Sequence, residues 1–146
     1  GDNNVTREEF IKMMVTAFDV YDAGATCAFS DVEEGAWYYP YVASAAESGL
    51  AYGKEDGTFG CGENITRQDM AVIVYRASVN AGIVAEDAVG NGFTDADQIA
   101  QYAVQAVTAL QGAGIIDGFE DGSFAPNQSL TRAEAAKVIY GLIQKK

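Results

Sequence analysis

Histidine is absent from this chain, and proline (two), cysteine (two) and tryptophan (one) are scarce among its 146 residues. Without histidine the commonest general base and the commonest transition-metal ligand are both missing. Basic residues are few: nine Lys and Arg stand against 21 Asp and Glu, for a net charge of −12. Such a surface repels phosphate backbones, which argues against a nucleic-acid partner. No apolar run approaches the ~20 residues needed to cross a bilayer, so membrane insertion is not expected. A nucleophile elbow, a P-loop and a metal-ligand cluster are likewise missing, so no cofactor or metal is expected. Small and apolar residues are plentiful, with 49% hydrophobic residues and 16 glycines. That suits one domain with a true core.

The two cysteines, Cys27 and Cys61, flank a single stretch. A bridge between them would close a loop of about 35 residues and contribute roughly 3–4 kcal/mol in the chain-entropy model. Two buried reduced thiols are the alternative.

One pentapeptide organises the chain. Val5-Thr6-Arg7-Glu8-Glu9, Ile65-Thr66-Arg67-Gln68-Asp69 and Leu130-Thr131-Arg132-Ala133-Glu134 each place an acid three residues after a Thr. This is the capping-box pattern, with Asp69 the shorter variant. The apolar residues that follow keep one helical stripe in register: Phe10, Met13 and Met14; Met70, Ile73 and Val74; Ala135, Val138 and Ile139. The pattern predicts helices near 6–21, 66–80 and 131–144. The Arg falls on the first helical turn, where a cation opposes the helix dipole. Its recurrence therefore needs a reason other than helix stability.

Between these copies lies a second repeating pattern. Phe29-Ser30-Asp31 matches Phe93-Thr94-Asp95, and Asp56-Gly57-Thr58-Phe59 matches Asp121-Gly122-Ser123-Phe124. The period is 65 residues at the Asp-Gly and at the Thr-Arg, and 64 at the leading Phe. Each unit predicts a short helix (41–48, then 97–111) ended by Gly49 or Gly114, followed by a small β-hairpin turning at Asp-Gly. Trp37 falls opposite Tyr102, and Cys61 opposite Pro126. The domain divides into 1–28, the C-terminal part of a first repeat, then 29–92 and 93–146 as the second and third. Three Thr-Arg helices are thus accompanied by only two intervening prongs.

The order Phe-x-Asp, aromatic, short helix, Gly114-Ile115-Ile116-Asp117-Gly118-Phe119-Glu120-Asp121-Gly122-Ser123-Phe124-Ala125-Pro126 and Thr131-Arg132-Ala133-Glu134 resembles the S-layer homology family. The resemblance implies a mainly α fold with a pseudo-threefold arrangement, a central bundle of the three Thr-Arg helices, and radiating prongs of helix and short hairpin. It implies an extracellular, bacterial cell-surface location. It also implies non-catalytic anchoring of an exported protein through secondary cell-wall polysaccharide, often pyruvylated. The residues it implicates are Arg7, Arg67 and Arg132; Asp31 and Asp95; Trp37 and its counterpart Tyr102; and Gly49, Gly53, Gly114 and Gly118.

The residues support parts of this on their own. Unpaired amides at a helix start, with a guanidinium beside them, suit a carboxylate. Against that, each Arg reads equally as a solvated residue or a partner for a neighbouring acid. Trp37 reads as a core anchor or a sugar platform. Asp31 and Asp95 read as turn residues or ligand contacts. A calcium loop starting at Asp117 fails, because Phe119 and Gln128 fall where carboxylates are required. A pure protein-assembly module and a glycan-active enzyme are the alternative functions. Self-association is one way to complete the missing prong.

Overall fold

The computed structural model describes residues 3–146. The three Thr-Arg motifs open three helices: α1 (Arg7–Ala17), α3 (Arg67–Asn80) and α5 (Arg132–Lys145). Thr6, Thr66 and Thr131 are their N-caps, each accepting from the backbone N–H three residues on, at 3.1–3.2 Å. Glu9 and Glu134 reach back to the cap amides at 2.9 Å and complete capping boxes. Asp69 does not, as its shorter side chain suggests.

Two helices lie between them: α2 (Tyr39–Glu47) and α4 (Val104–Gly112). α2 packs on α1, α4 packs on α3, and α1 also touches α3 and α5. Helix α1 ends four residues earlier than expected. Asp19 takes a left-handed φ of 55°, and the Val20 amide returns to the Val15 carbonyl at 3.1 Å, a Schellman-type stop. The helix expected over 97–111 is broken. Ile99 and Ala100 are extended, and the Ala100 amide donates to Gln68 Oε1 at 2.9 Å rather than to a helical carbonyl.

The expected β-hairpins form as tight turns only. Lys54 and Phe119 donate to Thr58 and Ser123 at 2.7 and 2.8 Å, and no ladder continues from either pair. Among the described residues there is no β-strand, only three isolated bridges: Asn4–Thr131, Thr6–Asn64 and Thr66–Ser129.

Those bridges belong to a closed ring of backbone hydrogen bonds. Val5 donates to Leu130, Leu130 to Ile65, and Ile65 to Val5, at 2.9–3.1 Å. The apolar residue before each Thr thus meets its two counterparts, and all three are fully buried. Around them Phe10, Met14, Phe59, Met70, Phe124, Ile139 and Leu142 form one continuous core. Among the described residues no helix is long and apolar enough to cross a membrane.

Candidate functional site

The motif arginines are spent on joining the repeats. Arg7 Nη1 pairs with Asp69 at 2.6 Å, Arg67 Nη1 pairs with Glu134, and Arg132 Nη2 pairs with Glu9 at 2.9 Å. Each guanidinium takes the third-position acid of another repeat, and the three pairs close on themselves. Glu9 and Glu134 divide their oxygens, one to the cap amide and one to the Arg. Arg7 Nε and Arg67 Nε also donate to the Phe59 and Phe124 carbonyls at 2.8 and 2.7 Å. The same guanidinium groups lie over those Phe rings, and Arg67 covers Phe119 as well.

This explains why a cation recurs where the helix dipole disfavours it. The backbone amides of Arg7, Arg67 and Arg132 are equally occupied, by Glu63, Gln128 and Asn3 carbonyls at 2.9, 2.9 and 2.6 Å. The amides of the three arginines are therefore not free for an anion. The three arginines nevertheless differ. The side chains of Arg67 and Arg7 are 8% and 11% exposed, whereas Arg132 is 55% exposed. No prong carbonyl caps Arg132 among the described residues.

Asp31 and Asp95 prove to be prong locks. Asp31 accepts the amides of Phe59, Gly60 and Cys61 at 2.8–3.0 Å, and Asp95 accepts those of Phe124 and Ala125 at 2.9 and 2.8 Å. Burial alone would raise the Asp31 carboxyl, but the three amides outweigh it and hold the group below its usual range. Phe29 and Phe93 pack on Phe59 and Phe124 beside these locks.

Gly53 and Gly118 serve that packing. A Cβ on Gly53 would come within 2.3 Å of Phe29, and one on Gly118 within 2.9 Å of Phe93. Gly49 and Gly114 end α2 and α4 in left-handed conformations; a Cβ on Gly49 would make only ordinary contact with Tyr52 and Asn80, and one on Gly114 would meet nothing within 4 Å. All four glycines thus have structural explanations, and Gly53 alone among them lines an open groove.

Two grooves remain. The first, about 640 Å³, runs between the 53–58 turn and the outer face of α3. Arg7, Lys54 and Arg76, with Tyr52 and Tyr102, line it. Asp69 there is saturated: one oxygen takes Arg7 and the other the Tyr102 hydroxyl. Burial, and then the bond to Asp69, push that phenol up to about 12.

The second groove, about 710 Å³, lies between α1 and α5 and is more apolar. Trp37, Arg132, Met13, Ile139, Tyr140 and Ile143 line it. Trp37 is not a core anchor: it is 54% exposed, edge-on to Tyr38, with Lys12 over its ring. On α5, Ala136 and Tyr140 are open, although Ile11, Val15 and Ala71 at corresponding places on α1 and α3 are buried. Among the described residues, no helix of the α2 or α4 kind covers α5.

The expected disulfide is not formed: Cys27 and Cys61 are both free and half-buried. Burial raises both thiols, and nearby Asp31 adds to the effect. Sequence reasoning did not single out Tyr52, which stands opposite Asp117 in the repeated Gly-to-Gly stretch, or Arg76, as groove residues.

The S-layer homology domain matches residues 28–71 and 92–136, more than half of the chain. An amylopullulanase of Thermoanaerobacterium thermosulfurigenes is 34% identical over 99% of this chain, which spans 8% of that protein. An exoglucanase of Acetivibrio thermocellus is 35% identical over 97% of the chain, 13% of its own length. A cellulosome-anchoring protein of the same organism is 27% identical over 99% of the chain and a third of its own length. The chain therefore spans a small part of the curated relatives it matches. With two copies of the repeated motif and both prongs falling in these matched stretches, the chain belongs to the S-layer homology domain family.

Proposed function

We propose that this domain is a non-catalytic anchor that holds a larger exported protein at the bacterial surface by binding an anionic, pyruvylated cell-wall polysaccharide. The observation that carries this is the first groove. It is an open trough with two exposed tyrosines for sugar rings and cationic side chains along its walls. In a chain of net charge −12, its lining is locally neutral, with Arg7, Lys54 and Arg76 against Glu55, Glu63 and Asp69, so an anionic glycan is repelled less there than by the chain as a whole. The names of the relatives agree with this reading: glycan-degrading enzymes and a cellulosome-anchoring protein share the domain as a small part of their length.

The closed ring at Val5, Ile65 and Leu130 supports a pseudo-threefold arrangement, with residues 29–92 and 93–146 as the second and third repeats and α1 as the Thr-Arg helix of the first. In that reading the open face of α5 seats a third prong, from elsewhere in the parent protein or from a second copy. Trp37 and Arg132 then belong to a second binding groove, completed when that prong is present.

Sedimentation with purified cell walls tests the anchor. The domain should pellet with walls that retain their polysaccharide and stay in solution with walls stripped of it. Pelleting with stripped walls that carry only surface protein would favour an assembly module instead. Turnover of the glycan would overturn the non-catalytic reading.

A further inference from the structure

Asn91-Gly92 is the only Asn-Gly pair in the chain. A glycine after an asparagine leaves its own backbone nitrogen unshielded, because no Cβ stands beside it. That nitrogen can attack the asparagine side-chain carbonyl, close a cyclic imide and expel ammonia. Asn91 and Gly92 are both exposed, on the stretch that carries the chain from α3 into the third repeat. Among the described residues no hydrogen bond ties down the Asn91 side chain.

The following glycine, by contrast, is gripped. Gln111, half-buried near the end of α4, lays its side-chain amide along Gly92. Its Oε1 accepts the Gly92 N–H at 2.8 Å, and its Nε2 donates to the Gly92 carbonyl at 3.0 Å. Two residues upstream the Gly90 N–H donates to Thr108 Oγ1 at 3.0 Å. The approach leaves no room for side chains: a Cβ on Gly90 would stand 2.5 Å from Gln111 Oε1, and one on Gly112 would stand 2.6 Å from the Val89 carbonyl. Residues 89–92 are thus clasped on the face of α4 that carries Thr108, Gln111 and Gly112.

To attack, the Gly92 nitrogen must lose its proton and turn toward Asn91 Cγ. While it donates to Gln111 its peptide plane is fixed and its proton is shielded from base. The Asp-Gly pairs of the chain are poorer substrates for the same closure, because an ionised carboxylate is a weak electrophile. Asp56 and Asp121 moreover spend an oxygen on Thr58 and Ser123, and the Gly57 and Gly122 N–H groups donate within their own turns.

We infer that Asn91 is a site of spontaneous deamidation whose rate is set by the Gln111 clasp. The Gly92 nitrogen bonds to Asn91 Cγ, the Cγ–Nδ2 bond breaks, and Nδ2 leaves as ammonia with the proton that Gly92 gives up. Water then opens the imide at either carbonyl, to isoaspartate or to aspartate. One water is consumed, one ammonia is released and nothing is oxidised or reduced. Isoaspartate lengthens the backbone by one carbon and adds a carboxylate between the Thr108 and Gln111 grips. The two grips then fall out of register, and the joint between the second and third repeats loosens.

The purified domain would be incubated in mildly alkaline buffer, its peptides followed by mass spectrometry and its isoaspartate counted by enzymatic methylation. Deamidation should be confined to the peptide carrying Asn91, with isoaspartate the main product, and Asn91→Gln should stop it. The chain unfolded in guanidinium chloride should react about fivefold or more faster than the folded protein, the change in rate that an ordinary hydrogen bond accounts for. Gln111→Met keeps the packing on Gly90 but removes both bonds, and should close most of that gap in the folded state. Gln111→Glu keeps an acceptor for the Gly92 N–H and should stay slow, which separates the clasp from a general loosening of the fold. Reaction at another asparagine, or none at Asn91 in the unfolded chain, overturns the site. Equal rates for folded wild type and Gln111→Met, or for the Met and Glu variants, overturn the clasp.

Discussion

Arg67 and Glu134, 67 residues apart, meet on the first turns of α3 and α5 in an ion pair that also seats the Phe124 carbonyl on the same guanidinium. Arg132 and Glu9 form the equivalent pair in the open, with no such carbonyl. The same motif therefore performs one job at two very different degrees of burial. Replacing Arg67 by Ala should strand a partly buried carboxylate and a buried carbonyl, costing about 2–4 kcal/mol. Arg132→Ala should cost under about 1 kcal/mol. Urea denaturation distinguishes the two, and the Arg67→Ala/Glu134→Ala double variant should lose less than the sum of its single changes.

The Asp31 lock makes part of the stability depend on pH. Its carboxyl is held below the usual range in the folded chain, so the unfolded chain takes up a proton first as pH falls. The contribution is complete above about pH 4, the unfolded value, and is lost as pH drops through the folded value. Asp31→Asn should destabilise the protein by about 2 kcal/mol at pH 7 and flatten its stability profile below about pH 4. Melting temperatures measured between pH 7 and pH 2 check the sign. An unchanged slope on the acid side would count against the lock.

Two glycines in one turn should respond differently to Ala. Gly53→Ala drives a methyl into Phe29 and the Thr58 carbonyl, whereas a Cβ on Gly57 meets nothing within 4 Å. Both residues hold φ near +80°, so Gly57→Ala measures the backbone cost alone, roughly 1 kcal/mol. Gly53→Ala should exceed it by about 1–3 kcal/mol through overpacking. Thermal unfolding of the pair isolates the packing contribution.

Ala125 occupies the place that Gly60 has in the preceding repeat, and it holds the left-handed φ of 58° without being glycine. Gly60 is confined by the Arg7 side chain, 2.9 Å from where its Cβ would stand. Gly60→Ala should therefore destabilise. Ala125→Gly should be neutral to mildly stabilising, within about 1 kcal/mol, because relief of φ strain is offset by greater freedom of the unfolded chain. Calorimetric melting of both variants tests this opposition.

Free, slowly reacting thiols are expected at Cys27 and Cys61. Burial first, then the charges of Asp31 and Glu8, push the Cys61 thiol up to about 11. Iodoacetamide at pH 8 should label it slowly, with the rate still rising up to about pH 11, because the thiolate is the nucleophile. Intact mass after alkylation without reductant should show two labels; a mass with neither label under denaturing conditions would reveal a bridge.

The amino-acid order alone determined the local events. Thr followed by an acid three residues later placed three helix starts, the Asp-Gly pairs placed two tight turns, and the 65-residue period joined them into a recognisable repeat. These are short-range consequences of capping and turn chemistry, which neighbouring residues suffice to specify. The break in the helix expected over 97–111 was not legible, because it depends on Gln68, 32 residues away, taking the Ala100 amide.

The roles of the charged side chains were decided only by the tertiary structure. Asp31 finds its amides 28 to 30 residues on, Arg7 its acid 62 residues on, and Arg132 its acid 123 residues back. Local spacing carries no information about such pairings; they follow from the closure of the repeats into a ring. That closure consumes the arginines that the repeated pattern makes conspicuous, while Arg76 stays outside it, over the Tyr52 ring on the wall of an open groove.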